Sequence, residues 1–138
     1  MRHCLTIAIT AWLLLFTGNA FAQDTFDDSV ARAQLTSAVE NHEPVDKLEH
    51  VVVTEPVAQV AFFTEIVGRP DSKIQHLWFY QNKLMAEVNL TIGSGRWRTY
   101  SSKKIRHDWT GNWRVLVVDN QQNILAEHPF EVVAGSQQ

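Results

Sequence analysis

The sequence predicts an all-β protein: a single antiparallel β-sandwich of immunoglobulin-like kind, built from seven to eight strands and preceded by a cleaved signal peptide. Three observations predict this fold. Short β-rich segments recur at regular spacing, turn residues separate them, and no segment has a convincing long helical period. A small barrel is the alternative architecture, because it shows the same succession of short strands and turns.

The N-terminal segment is interpreted as a secretory signal. Arg2 and His3 form a short basic start, residues 5–17 are apolar, and Ala20-Phe21-Ala22 places small residues at a cleavage site. The apolar run is shorter than the ~20 residues that a membrane-spanning helix needs. We therefore expect cleavage before Gln23 and export to the periplasm or secretion, with a retained N-terminal anchor as the alternative.

The chain divides into four parts. Residues 1–22 are the predicted signal peptide, residues 23–29 a flexible acidic lead-in, residues 30–133 the sandwich domain and residues 134–138 a tail. Cys4 lies in the signal peptide and is the one cysteine of the sequence. We therefore expect no disulfide and no disulfide-linked partner in the mature protein.

The first half of the domain leads into a predicted central strand. Residues 30–40 fit a strand or a short helix and end at Asn41-His42-Glu43-Pro44, and residues 51–53 form a brief apolar run that Glu55-Pro56 stops. Residues 58–67 are apolar on both faces. That pattern is typical of a strand that is covered on both sides.

The second half contains five extended segments, separated by turns, over residues 74–80, 84–92, 96–103, 113–119 and 124–133. Residues 84–92 show the cleanest alternation of period two in the chain. Pro129 lies within the last segment and has no N–H to donate to a ladder. We therefore place it at a sheet edge or at a bulge.

Charge is distributed unevenly along the chain, whose net charge is −3. Residues 23–71 hold ten acidic and three basic residues, whereas residues 72–138 hold five acidic and eight basic residues. A net acidic chain argues against a general nucleic-acid binder, which needs a broad basic surface. A local basic patch in the second half is still compatible with this composition.

The richest concentration of arginine and aromatic residues is one short stretch of the second half. On a strand, Arg96, Arg98 and Tyr100 would share one face, with the two guanidinium groups about 7 Å apart. Arginines so placed bind carboxylate, sulfate or phosphate groups bidentately. In the alternative interpretation they pair with acidic residues of the N-terminal half, or stack on Trp78 or Trp109.

A second candidate surface lies on the segment from residue 76 to residue 80. His76, Trp78 and Tyr80 share one face of the predicted strand, and an exposed aromatic stripe of this kind could stack on sugar rings. In the alternative interpretation Trp78 is the core tryptophan of the sandwich, packed between the two sheets.

The sequence shows no constellation that predicts catalysis or metal binding. His42-Glu43-Pro44-Val45-Asp46 resembles a metalloprotease helix motif only superficially, because Pro44 would break that helix. Ser94 lies between two glycines but lacks the strand–turn–helix context of a nucleophile elbow. No metal and no cofactor are predicted, and a small hydrolase is the least favoured interpretation.

Segments along nearly the whole domain share their pattern with one known family. The most specific is Arg96-Trp97-Arg98-Thr99-Tyr100-Ser101-Ser102-Lys103, and the others are residues 30–33, 43–46, 62–65, 74–80 and 111–115, with Leu125 and Phe130. Together they resemble a bacterial family known as domain of unknown function 2914, over roughly residues 30–133. Asn123 stands where that family usually has glycine, and asparagine tolerates a positive φ. The resemblance implies a compact, mostly β domain in exported or membrane-tethered settings, and no activity.

These patterns predict an exported, non-catalytic binding module of the cell envelope. The predicted ligand-binding residues are Arg96, Arg98, Tyr100, Lys103, Arg114, His76 and Trp78. The expected ligand is an anionic glycan, a lipid headgroup or an acidic protein surface, held by charge-assisted hydrogen bonds and aromatic contacts. The alternative is an assembly protein that pairs through a sheet edge near Pro129 or residues 31–39, with structural arginines.

Overall fold

The computed structural model describes residues 25–54 and 57–135, which form β-strands joined by turns. Eleven strands are assigned in these residues: β1 (Thr25–Phe26), β2 (Val30–Thr36), β3 (Val39–Glu40), β4 (Glu43–Pro44), β5 (Val51–Thr54), β6 (Val57–Val67), β7 (Ser72–Tyr80), β8 (Lys83–Ile92), β9 (Arg96–Arg106), β10 (Gly111–Asp119) and β11 (Ile124–Ala134). The predicted all-β fold is confirmed. The eight longer strands occupy the eight predicted segments, and the three extra strands have two residues each, which is too short to produce a period in the sequence.

Most of the strands belong to two sheets that pack face to face. The six-stranded sheet has the order β1-β11-β10-β7-β8, with β5 also paired to β11, and the three-stranded sheet has the order β2-β6-β9. β3 and β4 form a separate two-stranded hairpin. The pairing of β5 with β11 is parallel, whereas the other described pairings are antiparallel. The predicted sandwich is therefore confirmed, with one parallel pair that local patterns did not indicate.

The central position predicted for residues 58–67 is confirmed. β6 pairs with β2 on one side and with β9 on the other. Phe62 and Ile66 face the core between the sheets, where both are fully buried. On the outer face, the guanidinium of Arg32 lies 4.9 Å from the centre of the Phe63 ring and helps to cover it.

Pro129 lies at a gap along the edge of β11, as its missing N–H led us to expect. β1 pairs with Ala126 and Glu127 of β11, and β5 pairs with β11 from Glu131 onward. The carbonyl oxygen of Pro129 lies 2.8 Å from His50 Nδ1, so the backbone of Pro129 faces the side between the two short strands. The proline therefore costs the sheet no ladder hydrogen bond there.

The N-terminal boundaries differ from the prediction. The signal peptide predicted for residues 1–22 lies outside the described residues. The lead-in predicted to be flexible is instead part of the fold from Thr25 onward, because β1 pairs with β11 and Asp27 N–H donates to the Leu125 carbonyl at 2.7 Å. A two-residue pairing leaves no periodic signal, which is why the sequence did not indicate it.

The free edge of β2 is partly covered by the chain that follows the hairpin. Leu48 N–H donates to the Leu35 carbonyl at 2.9 Å. The carboxylate of Asp46 accepts hydrogen bonds from the Thr36 hydroxyl and from the backbone and hydroxyl of Ser37. Part of the edge that the assembly alternative assigns to residues 31–39 is therefore already occupied by this chain.

Candidate functional site

Arg96, Arg98 and Tyr100 lie together on the outer face of the three-stranded sheet, as the strand alternation of β9 predicted. All three side chains are exposed, and Tyr100 keeps 45% of its surface. Ser101 and Ile105, which point to the other face of β9, are buried between the sheets. The structure thus places the predicted arginine face outward.

The two arginines are engaged in a network of ion pairs that we call the arginine ladder, formed by Arg96, Glu65, Arg32, Glu43 and Arg98. Arg96 Nη1 donates to Glu65 Oε1 at 2.6 Å, and Arg98 Nη1 donates to Glu43 Oε1 at 2.6 Å. Arg32 joins both carboxylates, with a bidentate contact to Glu43 at 2.8 and 2.9 Å. The interpretation in which the arginines pair with acidic residues of the N-terminal half describes this arrangement.

The ladder also holds its carboxylates in the charged form. Hydrogen bonds from Arg32 and Arg98 lower the pKa of Glu43 to about 2. Hydrogen bonds from Arg96 and Arg32 lower the pKa of Glu65 below its ordinary value. An external anion would have to compete with these two carboxylates for the guanidinium groups.

The structure does not bring Lys103 to the arginine ladder. Lys103 lies further along β9, where its ammonium group is 5.2 Å from the centre of the Trp109 ring and donates to the Lys104 carbonyl at 3.3 Å. Arg106 approaches the same ring at 5.3 Å. Lys103 and Arg106 therefore lie together at Trp109, at one end of β9.

His76 and Trp78 are buried, so their inclusion in a surface ligand site is corrected. Both side chains have 0% exposure and lie between the two sheets. Trp78 Nε1 donates to Ser101 Oγ at 3.0 Å, and Ser101 Oγ lies 2.7 Å from His76 Nδ1. The interpretation of Trp78 as a core tryptophan is therefore confirmed, because β7 is an inner strand whose inward residues meet β9 across the sandwich.

These contacts form a buried polar chain of Trp78, Ser101, His76 and Thr64. His76 Nε2 lies 3.2 Å from Thr64 Oγ1, and that hydroxyl donates to the Thr99 carbonyl at 3.3 Å. When neutral His76 carries its proton on Nε2, that N–H donates to Thr64 Oγ1 and the Ser101 hydroxyl donates to His76 Nδ1. Each N–H and O–H group of these four side chains then has an acceptor. Burial lowers the pKa of His76 to about 3, which keeps the ring neutral near neutral pH.

Arg114 lies on the outer face of the six-stranded sheet, on the opposite side of the sandwich from the arginine ladder. Its guanidinium is 4.7 Å from the centre of the Phe79 ring, and its Nη1 is 3.7 Å from Glu127 Oε1. Its buried Nε has no hydrogen-bond partner among the described residues. Unlike the ladder arginines, Arg114 thus makes no close hydrogen bond to a carboxylate in the part of the chain that the structure describes.

A groove of about 830 Å³ opens beside Arg114, and we call it the Arg114 groove. Its lining residues are His50, Phe79, Gln81, Asn82, Asn112, Trp113, Arg114, Pro129, Phe130 and Glu131. Phe79, Arg114 and Pro129 form one row across three neighbouring strands, and Asn112 pairs with Glu131 in the next row on that face. Arg114 is the one predicted ligand-binding residue that lines this groove.

The amide-bearing rim of the groove is held by backbone geometry. Gln81 and Asn82 form the β7–β8 turn with φ of 47° and 66°, and Gln81 N–H donates to the Asn112 carbonyl at 2.9 Å. Gly111 has a φ of +113°, and a Cβ there would lie 3.1 Å from Gln81 Nε2. Glycine at this position therefore leaves room for the Gln81 amide.

The sequence analysis missed the groove because its walls come from distant parts of the chain. Residue 50, the β7–β8 turn, the start of β10 and the middle of β11 meet only through the order of the sheet. One available signal was the pair of polar turns at residues 81–82 and 111–112, which flank strands that became neighbours. In the described residues, no group of three or more metal-ligating side chains occurs, and no helix is long and apolar enough to cross a membrane.

Comparisons with known proteins found a family match over part of the chain and similar solved structures. The family described as "Protein of unknown function (DUF2914)" matches residues 71–132, which confirms the resemblance over that span. No curated protein matches the chain. The solution structure of the CARDB domain of PF1109 from Pyrococcus furiosus is 11% identical, with a TM-score of 0.44 over 73% of this chain and 92% of that chain.

A crystal structure of the same CARDB domain, in complex with di-metal ions, is 12% identical to this chain. It has a TM-score of 0.41 over 79% of this chain and 93% of that chain. At these identities the similarity concerns the fold alone.

The buried polar chain predicts a large cost for removing one hydroxyl. Ser101→Ala leaves the Trp78 N–H and His76 Nδ1 without their partner in the core, so we expect a loss of about 1–3 kcal/mol in the free energy of unfolding. Ser102→Ala removes the neighbouring, exposed hydroxyl and should change stability by less than about 0.5 kcal/mol. Urea unfolding of both variants measures the difference, and equal stabilities would contradict the assigned role of Ser101.

Burial of His76 also predicts a pH dependence of stability. The pKa of His76 is about 3 in the folded protein against an ordinary value of 6.5, so below pH 6.5 the unfolded chain binds a proton that the folded chain does not. The free energy of unfolding should therefore fall as the pH drops from about 6.5 towards 3, by up to about 1.4 kcal/mol per pH unit.

Urea unfolding between about pH 6.5 and pH 5.5 measures this slope above the range near pH 4.5 in which Glu43 and Glu65 of the unfolded chain take up protons. The variant His76→Asn should show a shallower slope than the unmodified protein, whatever its absolute stability. The same slope in both proteins would show that His76 is not the group responsible.

Proposed function

We propose from the geometry that the protein is an exported, non-catalytic binding module of the cell envelope that recognises an anionic ligand, since the family that matches residues 71–132 is one of unknown function. The proposed site is the Arg114 groove. The observation that carries the proposal is Arg114 itself, whose Nη1 lies 3.7 Å from Glu127 Oε1, beyond hydrogen-bond distance, at the wall of a cavity of about 830 Å³. Cavities of this size are typical of small-molecule sites.

The arginine ladder is a less suitable anion site than the Arg114 groove, because its arginines already have carboxylate partners. Arg96, Arg98 and Arg32 already donate short hydrogen bonds to Glu65 and Glu43. A ligand anion on that face would displace those carboxylates and leave them among arginines that no longer neutralise them. At Arg114 the competing carboxylate of Glu127 is 3.7 Å away, so a ligand carboxylate could take a closer position.

The lining of the groove supports binding over catalysis. Among the described residues that line it, none is serine, threonine, cysteine or lysine, the usual hydroxyl, thiol and amine nucleophiles. Its polar groups are carboxamides, the Arg114 guanidinium, the Glu131 carboxylate and the His50 ring. Groups of this kind orient a ligand through hydrogen bonds.

The alternative function, assembly through a sheet edge, is less well supported at the two predicted places. The chain at Asp46 and Leu48 covers part of the β2 edge. At Pro129, the ring of His50 and the short strands on either side occupy the edge of β11. An added strand would have to displace these contacts.

The proposal of export predicts the N-terminus of the mature protein. Full-length protein expressed in a Gram-negative host should be recovered from the envelope fraction with Gln23 as its first residue, because residues 20–22 offer a cleavage site. N-terminal sequencing or intact mass measures this. Ala22→Arg should block cleavage, and an unmodified chain that keeps residues 1–22 would support the retained anchor instead.

The proposal of an anion site predicts a selective effect of Arg114→Ala. Oligogalacturonate, polyglutamate and vesicles containing phosphatidylglycerol serve as anionic probes, and binding is followed by backbone amide shifts at low ionic strength. At least one probe should shift Gln81 and Asn112, and Arg114→Ala should weaken its binding ~10-fold or more, because a charge-assisted hydrogen bond is lost.

Arg106→Ala is the matched control, since it removes the same charge at an arginine that pairs with Asp108 away from the groove. It should change affinity by less than about twofold, and added salt should weaken binding of the unmodified protein. The groove proposal fails if no probe depends on Arg114. Loss of binding in a folded Arg96→Ala/Arg98→Ala variant would instead locate the site at the arginine ladder, whereas unfolding of that variant would favour purely structural arginines.

A further inference from the structure

We propose that the Arg114 groove binds an acidic sugar residue, such as the uronic acid unit of an envelope glycan. This inference rests on the proposed function and names the chemical class of its ligand. Three features of the groove carry it: one guanidinium next to a carboxylate, three carboxamides on the rim, and an apolar floor.

The charges of the groove suit a sugar ring that carries one negative group. Arg114 is the one arginine among the described lining residues, and Glu131 lies in the adjacent row of the same face. Surfaces of high charge density, such as anionic membranes, are bound by several clustered cations. The carboxylate of Glu131 would repel a second anionic group on the same ring but accepts hydrogen bonds from neutral hydroxyls.

The carboxamides supply the partners that a polyhydroxylated ring requires. Gln81, Asn82 and Asn112 each offer two N–H donors and one carbonyl acceptor. A sugar hydroxyl also donates and accepts, so a rim of amides can satisfy several hydroxyls at once. A lipid acyl chain has no polar groups to pair with these amides.

The apolar floor gives the ring a surface to lie on. Phe79 and Pro129 flank Arg114 in the row across β7, β10 and β11. The Phe79 ring, 4.7 Å from the guanidinium carbon, also helps to fix the plane of Arg114. The charged group and the apolar surface are thus adjacent, as the carboxylate and the C–H face of a uronic acid are.

The rim is ordered before any ligand arrives. The β7–β8 turn is tied to β10 by the hydrogen bond from Gln81 N–H to the Asn112 carbonyl, and Gly111 leaves the space that the Gln81 side chain occupies. A rim whose backbone is already fixed loses less conformational entropy on binding. Rigid turns on sheet strands therefore favour recognition of a small, well-defined ring.

The test compares acidic and neutral sugars on the mature chain. Trigalacturonate and galactotriose, which differ in the C6 carboxylates, are titrated while the amide shifts of the groove are followed. We expect trigalacturonate to bind ~10-fold or more tightly than galactotriose, as a charge-assisted pair contributes that much. Arg114→Ala should abolish this preference, whereas Asn112→Ala should weaken both sugars by a similar factor.

Asn120→Ala is the control for Asn112→Ala, because it removes an exposed carboxamide in the turn after the opposite end of β10 and should leave both affinities unchanged. Arg114-dependent binding of polyglutamate or phosphatidylglycerol vesicles without binding of trigalacturonate would overturn the sugar assignment and leave the anion site standing. Binding of no probe in an Arg114-dependent way would overturn both. Equal affinity for the two sugars would overturn the assignment of an acidic ligand.

Discussion

The buried polar chain of Trp78, Ser101, His76 and Thr64 is the constraint on which the rest of the structure depends. It joins the middle of β7 in one sheet to β6 and β9 in the other. A shift of β9 by one residue would turn Ser101 and Ile105 outward and bring Arg98 and Tyr100 towards the space between the sheets. The Ser101 hydroxyl and the apolar Ile105 side chain therefore both favour the observed register.

That register determines which face of each sheet carries charge. With Ser101 inward, Arg96 and Arg98 must point outward on β9, where they meet Glu65 and Glu43. The uneven charge distribution along the sequence is balanced in these ion pairs, because carboxylates of the acidic first half neutralise arginines of the basic second half. The arginine- and aromatic-rich segment of β9 therefore does not form one functional face. Its Ser101 lies in the core, and its Arg96 and Arg98 lie in an ion-pair network.

The sequence predicted the longer strands because each leaves a local pattern. β8 alternates cleanly, and β6 is apolar on both faces because Phe62 is buried in the core and Phe63 is also buried on the outer face. The two-residue strand β1 and the parallel pairing of β5 with β11 carry no such pattern, since they depend on long-range pairing. Alternation predicted that Arg96 and Arg98 share one face, but neither the exposure of that face nor the partners of the arginines in the N-terminal half could be predicted.

The Arg114 groove could not be predicted from local patterns either, because its walls come from distant segments of the chain. Arg114 is the one predicted ligand-binding residue that lines it. Arg96 and Arg98 have carboxylates within the chain that match their charge and geometry, so their role in the fold is sufficient to explain them. Arg114 rests on Phe79, has a carboxylate only at 3.7 Å and carries a buried Nε without a partner among the described residues. The buried Nε has no accessible surface for a ligand, so the proposed anion would bind at the Nη groups, of which Nη1 lies 3.7 Å from Glu127 Oε1.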